Sequence, residues 1–249
     1  MIDFHCHLDL YKNSLSILDE VEDRCICVLA VTTSPRAWQI TSKYFAERQG
    51  ILVGLGMHPE ILTEKIDERE LFLSSVPQCI YVGEIGLDGV SRNRKSLSLQ
   101  EDFFREAIKV SEKYGGKLLS IHSRGAAKET LEIIEQNINK SKPVLHWFTG
   151  TVKQLEWAIS LNCWFSINPL MFTNSKGLTL VQKIPLSRIF PETDGPFTVY
   201  RGTPYLPWDT NSVIDCLANI HEKSRQEIEY ILLNNLNRIG IKGKCRDQF

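Results

Sequence analysis

Apolar and polar residues follow two different rhythms along this chain, and the two take turns from one end to the other. Short runs rich in aliphatic and β-branched residues predict eight strands: Ile2 to His7, Cys25 to Val31, Ile51 to Met57, Ile80 to Ile85, Lys117 to His122, Pro143 to Phe148, Cys163 to Ile167 and Arg188 to Asp194. Between them apolar positions recur at helical spacing. Leu15, Leu18 and Val21 follow the first strand, and Pro35 through Arg48 follows the second, with Pro35 suited to a first helical turn. Glu64 to Val76 follows the third. Phe103, Ala107, Val110 and Tyr114 mark one face of the fourth helix, and Ala127, Leu131, Ile134 and Ile138 one face of the fifth. Val152 to Ile159, Leu178 to Ile184 and Asp209 to His221 supply the next three helices, and Gln226 to Leu236 an additional terminal one. Gly115-Gly116 has the chemistry of a helix C-cap.

Strict alternation of strand and helix implies parallel strands joined by right-handed crossovers. Eight such units in 249 residues is the size of a TIM barrel, so the expected fold is an α/β (β/α)8 barrel, with residues 1–249 forming a single domain. A doubly wound open sheet is the alternative. The first strand is not followed by a Gly-x-Gly-x-x-Gly turn, which argues against a dinucleotide fold. No Pro/Ser-rich linker, short repeat or low-complexity tract divides the chain.

Composition narrows the classes of function. Hydrophobic residues are 43% and charged residues 24%, an ordinary globular balance. A net charge of −1 offers no broad basic surface for a long duplex, so any affinity for phosphate must be local, as at bound metal ions. No apolar run approaches a membrane span, and Met1-Ile2-Asp3-Phe4-His5 lacks the pattern of a signal peptide. Seven cysteines without framework spacing point to reduced thiols and a cytoplasmic location. Cys25 and Cys27 are expected to be core packing.

The candidate chemistry lies in the histidines. Five of the six, His5, His7, His58, His122 and His146, fall at or just past predicted strand ends, as do Glu84 and Asp194. In a barrel those ends share one mouth, where catalytic residues gather. His5 and His7 are two apart on a strand and project to one face, so both imidazoles can reach one metal. Glu84 sits in an apolar strand end, where an ionised acid needs a partner, and its two oxygens could bridge two cations; an ion pair with an arginine is the plainer reading. His122 and His146 end consecutive strands and suit a second metal. Asp194 could ligate a metal and accept a proton from bound water, and Glu192 is expected to share its face as an orienting residue. His58 is expected to bind substrate or carry a proton. Arg124 offers a planar five-donor fork, or is a surface arginine at a helix start. Asp88 is left unassigned. Trp147, Phe148 and Trp164 are candidate faces for stacked bases, though barrel packing is the commoner role.

These motifs carry a resemblance. His-x-His, Gly-x-His-Pro, Gly-Glu-Ile-Gly-Leu-Asp, Ile-His-Ser-Arg, His-x-Phe-x-Gly and Glu-Thr-Asp-x-Pro, in this order, resemble the TatD-type metal-dependent deoxyribonucleases of the amidohydrolase-like barrel group. The resemblance implies that His5, His7, Glu84 and Asp194 hold one metal and that Glu84, His122 and His146 hold the other. It implies phosphate contacts from His58 and Arg124. Three departures stand out. Glu60 replaces a second histidine common after His-Pro; Trp147 and Thr149 replace Cys and Ser; and Arg92, Arg94 and Lys95 follow Leu87-Asp88 in place of the usual Tyr. The stretches around His5, Trp147 and Asp194 are similar to a narrower branch, the TatD-like QatD component of bacterial Qat anti-phage defence systems. That likeness implies an ATPase, a QueC-like protein and a further component as partners.

The expected activity is hydrolysis of DNA phosphodiester bonds by two divalent ions (Zn²⁺, Mn²⁺ or Mg²⁺). Asp194 and Glu84 serve at the metals, with His58 and Arg124 as further catalytic and substrate-binding groups. A barrel mouth admits single strands or strand ends, so 3′ exonuclease or single-strand-preferring action is expected. The alternatives are a binuclear hydrolase of a small amide, lactone or ester, and a non-catalytic component of a defence complex.

Overall fold

A computed structural model of the chain describes residues 1–45 and 47–241. Position 46, inside the Pro35–Arg48 pattern, and residues 242–249, inside the expected 1–249 domain, lie outside the described residues. All eight expected strands form: β1 (Ile2–Cys6), β2 (Cys27–Val31), β3 (Ile51–Leu55), β4 (Tyr81–Gly86), β5 (Leu118–His122), β6 (Lys142–His146), β7 (Trp164–Ile167) and β8 (Ile189–Pro191). Their order in the sheet is their order in the chain, and the pairings are parallel. Helices α1 (Ser14–Arg24), α2 (Pro35–Phe45), α3 (Arg69–Ser75), α4 (Leu97–Lys113), α5 (Ala127–Asn137), α6 (Val152–Ser160) and α7 (Ser175–Lys183) separate them. After β8 come α8 (Asn211–Ile220) and α9 (Arg225–Ile239). This is the (β/α)8 topology the alternation predicts.

The chain divides into two compact units. The first comprises Met1–Ala30, Phe45–Leu52 and Phe165–Phe249. In it β1 pairs with β2, Ile2 opposite Cys27, and β7 with β8, Phe165 opposite Ile189. Phe4 of β1 stacks on Phe190 of β8 with ring centroids 3.9 Å apart, so the last strand returns to the first. A Ser224–Glu227 capping box starts α9. The Asn235 side chain of α9 donates to the carbonyls of Leu186 and Ile189, which ties that helix to the start of β8.

The second unit comprises Val31–Tyr44 and Val53–Trp164. Here β3, β4, β5 and β6 pair in succession. The β4–β5 register shifts between Val82 and Ile85, the stretch that carries Glu84. Helix α4 buries Gln100, Phe103, Phe104, Ala107, Ile108 and Ser111, a stripe rotated from the expected one. Val110 is half-buried and Tyr114 exposed, because the helix ends at Tyr114 and its chain turns away through Gly115 and Gly116, both at positive φ.

Three local expectations are corrected. The eighth strand stops at Pro191, because Asp194 takes a left-handed backbone conformation (φ 53°) that no extended ladder accommodates. The Glu64–Val76 pattern is helical only over α3, with 3-10 turns on either side, and Pro77 lacks the N–H that a continuing helix needs. A short hairpin of β9 (Val199–Tyr200) and β10 (Thr203–Pro204), unpredicted, follows Asp194.

Candidate metal centre

In the first unit, His5 lies on β1 and His7 one residue beyond its end, and both are buried. The Nε2 atoms of His5 and His7 each lie 3.6 Å from Asp194 Oδ1. That separation is too long for a hydrogen bond. It does match two donors sharing one cation: ligand atoms about 2.1 Å from an ion at a tetrahedral angle lie about 3.4 Å apart. The set of two imidazoles and one carboxylate therefore fits a divalent metal.

A buried carboxyl holds Asp194 in place. Asp3 Oδ1 accepts the backbone N–H of His5 (3.2 Å) and of Thr193 (3.0 Å), and Asp3 Oδ2 accepts the Thr193 hydroxyl (2.5 Å). Asp194 N then donates to the His5 carbonyl at 2.9 Å. Burial pushes the Asp3 carboxyl well above the usual range, against the pull of the Thr193 and His5 hydrogen bonds, and nearby Glu192 pushes it the same way. Gly195 completes the turn. Its carbonyl accepts the His7 N–H at 2.8 Å, and a Cβ there would come within 1.9 Å of Tyr11 Oη, so this approach requires glycine. Cys6, between the two histidines, is buried with Sγ 3.5 Å from the Gly195 carbonyl, a packed thiol.

In the second unit, three imidazoles surround one carboxylate oxygen. Glu84 Oε1 lies 2.6 Å from His122 Nδ1, 3.1 Å from His146 Nε2 and 3.3 Å from His58 Nε2. Glu84, His122 and His58 have ligand atoms close enough together to share one ion. The hydrogen bonds sort the three rings. His58 Nδ1 accepts the Glu60 N–H at 3.1 Å, so in the neutral ring Nε2 carries the proton and has no lone pair for a metal. His122 instead has its Nε2 2.8 Å from Asp88 Oδ2. A ligating imidazole donates its other N–H to a carboxylate in this way. Burial by itself disfavours imidazolium in His122, but the hydrogen bonds to Asp88 and Glu84 outweigh it and raise its pKa.

Arg124 is engaged by carboxylates. Its Nε lies 2.8 Å and its NH2 2.7 Å from Asp88 Oδ2, and NH2 also donates to Glu60 Oε1. Asp88 further accepts Asn93 Nδ2 (3.0 Å) and the Val90 N–H (3.1 Å). Burial opposes ionisation of Asp88, yet hydrogen bonds from His122 and Asn93 hold its carboxyl well below the usual range. Asp88 thus joins an expected ligand to an expected phosphate donor.

A family model described as TatD related DNase matches residues 2–239. The chain belongs to that family. TatD-family relatives include an uncharacterized metal-dependent hydrolase of Buchnera aphidicola, 30% identical over 96% of this chain and 98% of that protein. A putative deoxyribonuclease TATDN1 homolog of Vairimorpha ceranae is 26% identical over 79% of this chain and 78% of that protein. The crystal structure of the TatD homolog YjjV from Escherichia coli K12 superposes with a TM-score of 0.86 at 23% identity, covering 96% of this chain and 97% of that one, so the fold is shared. This TatD-family chain is a metal-dependent hydrolase with the (β/α)8 fold.

Some features of this TatD-family site were not foreseen. Asp88 closes the Gly-Glu-Ile-Gly-Leu-Asp motif but is given no role there, and the sequence does not separate Asp3 from other acids; their partners assign both. Glu192, expected to share the face of Asp194, is fully buried past the end of β8, and its carboxylate lies close enough to the His5 ring to share a cation with it. Phe148 and Trp164 are buried, so their faces are core, and Trp147 is half-buried with a left-handed backbone (φ 38°). Among the described residues it is the exposed Phe197 whose ring edge meets His7, centroids 5.0 Å apart. None of the six cysteines among the described residues forms a disulfide, and no helix there is long and apolar enough to cross a membrane.

Proposed function

We propose that this protein is a metal-dependent deoxyribonuclease that hydrolyses phosphodiester bonds, as a 3′ exonuclease or with a preference for single strands. The observation that carries the reading is the crowding of three imidazole nitrogens within 3.3 Å of Glu84 Oε1. An ionised carboxylate so buried is tolerated where cations or N–H donors face it. In this reading His5, His7 and Asp194 hold one divalent ion, and Glu84, His122 and His146 hold another. The resemblance adds Glu84 as a ligand shared by both. Zn²⁺, Mn²⁺ or Mg²⁺ are the candidates, and the nitrogen-rich donor set suits the first two better.

Such a pair supplies a water activated at neutral pH and a clamp on the phosphoryl oxygens. Asp194, with 12% of its side chain exposed, would serve as the proton-accepting carboxylate beside such ions. His58 presents its Nε2–H as a donor to a phosphoryl oxygen, its tautomer fixed by the Glu60 amide.

Purified protein incubated with end-labelled single-stranded and duplex DNA, with Mg²⁺, Mn²⁺ or Zn²⁺, tests the proposal. Single strands are expected to shorten from the 3′ end faster than duplex. Absence of cleavage by protein shown to contain metal would overturn it. A second reading, hydrolysis of a small amide, lactone or ester, is favoured by one observation: Arg124, the expected phosphate donor, is held by two carboxylates. Turnover of such substrates with none of DNA selects it. The role in a Qat-type defence system rests on motif likeness alone, and phage plating with an Asp194→Ala variant tests it.

A further inference from the structure

We propose that Arg92, Asn93 and Arg124 form a subsite for a phosphate flanking the scissile one, and that Glu60 occupies it as a tethered competitor. The inference rests on the deoxyribonuclease reading and adds a substrate contact that the family motifs do not supply.

One oxygen of Glu60, Oε1, accepts three donors: Arg92 NH2 at 2.5 Å, Asn93 Nδ2 at 3.0 Å, and Arg124 NH2. Two guanidinium groups and an amide converging on a single oxygen is how a protein grips a phosphoryl oxygen. Two of these donors are held from behind by a different residue. Asp88 takes Arg124 through Nε and NH2, and Asn93 through Nδ2. Asp88 is itself buried and fixed by the Gln100 side chain through its backbone N–H. The donors therefore keep their places whether or not the Glu60 carboxylate is present.

Glu60, by contrast, is held at one oxygen of a carboxylate that remains partly open to water. Its backbone N–H is tied to His58, but its carboxylate is 27% exposed and meets an Arg92 that is 69% exposed. Exposed ion pairs of this kind are weak, so a phosphodiester can displace the carboxylate. Charge requires some anion there. Without one, the Arg92 and Arg124 guanidinium groups would face each other, and a single negative charge restores the balance whether it comes from Glu60 or from a phosphodiester. Glu60 then sets specificity: a ligand lacking an anion at this position gains nothing by moving it.

The test compares cleavage of d(TpT), with one phosphate, and d(TpTpT), with a second, by metal-loaded full-length protein. The readout is the ratio of kcat/KM for the longer to the shorter substrate. Glu60→Gln keeps the shape but not the charge and is expected to raise that ratio roughly fivefold or more, mainly through KM. Arg92→Ala is expected to lower the ratio toward that of a site with no flanking contact, in both the wild-type and Glu60→Gln backgrounds. An unchanged or lower ratio in Glu60→Gln overturns the inference, because a purely structural ion pair would not improve substrate use when broken. Calorimetric titration of inorganic phosphate into metal-loaded Glu60→Gln and Glu60→Gln/Arg92→Ala separates the two claims. Tighter phosphate binding that depends on Arg92, in protein that cleaves no DNA, retains the subsite and rejects the nuclease reading. Equal phosphate binding by the two variants rejects the subsite.

Discussion

The Nε2 atom of His122 lies 2.8 Å from Asp88 Oδ2, while the other ring nitrogen lies 2.6 Å from Glu84 Oε1. Each ring nitrogen therefore faces a carboxylate oxygen. A cation at Nδ1 would take the place of one proton and leave the bond to Asp88 intact. Asp88 thereby orients the ring and strengthens it as a ligand. Asp88→Asn is expected to weaken metal affinity by about 10- to 100-fold, measured by chelator competition. Activity should recover when metal is added in excess. Unchanged affinity would show that Asp88 serves Arg124 alone.

Glu84 has three imidazoles within 3.3 Å and is nearly fully buried. Glu84→Gln keeps the volume and removes the charge that a bound cation would balance. Metal content by atomic absorption is expected to fall by at least one ion per chain, and hydrolysis by about 100-fold or more. Loss of both ions would support the shared role that the resemblance implies. Chelation of the wild-type protein should abolish hydrolysis, and added Zn²⁺ or Mn²⁺ should restore it.

Asp3 is fully buried and satisfies two amides and a hydroxyl. Asp3→Ala would strand those donors, and each unsatisfied buried group costs about 1–3 kcal/mol. A loss of about 3 kcal/mol or more is expected in urea unfolding, with weaker metal binding by the His5, His7 and Asp194 set. Asp3→Asn, which keeps one acceptor oxygen, should cost less, about 1 kcal/mol.

Glu112, at the end of α4, accepts the backbone N–H groups of Asn139 (3.3 Å), Lys140 (2.9 Å) and Ser141 (2.7 Å). Desolvation pushes its carboxyl up, but these bonds and the Ser141 side chain pull it down further, so its net pKa is lowered. A depressed carboxyl contributes stability above the unfolded-state value of about 4.5 and loses it as pH falls through the folded value. Glu112→Gln is expected to cost about 1 kcal/mol at pH 7, since the group is largely exposed. Thermal melts of the two proteins should converge as the pH falls below the lowered folded-state value.

The rhythm of apolar runs and helical stripes was enough to place all eight strands, because strand burial leaves a dense local signal in the chain. Strand ends were less legible. His5 and Glu84 fall within strands as expected, but Asp194 does not. Its place past β8 depends on Asp3, which folding brings to Thr193 and the His5 amide from the other end of the chain. The rotated stripe of α4 is of the same kind, since which side of a helix is buried depends on what packs against it.

By itself the sequence determined the alternating topology and singled out the candidate metal ligands, for both are written in short stretches where one residue type or one period dominates. The tertiary structure alone decided what each charged group does. Asp88, Glu60 and Arg124 are separated by as many as 64 positions and read in isolation as a loop acid, a departure from a motif and a phosphate donor. Brought together with Arg92, they form two carboxylates balanced by two guanidinium groups, because at hydrogen-bond distance and partial burial an opposite charge outweighs anything that local sequence prefers.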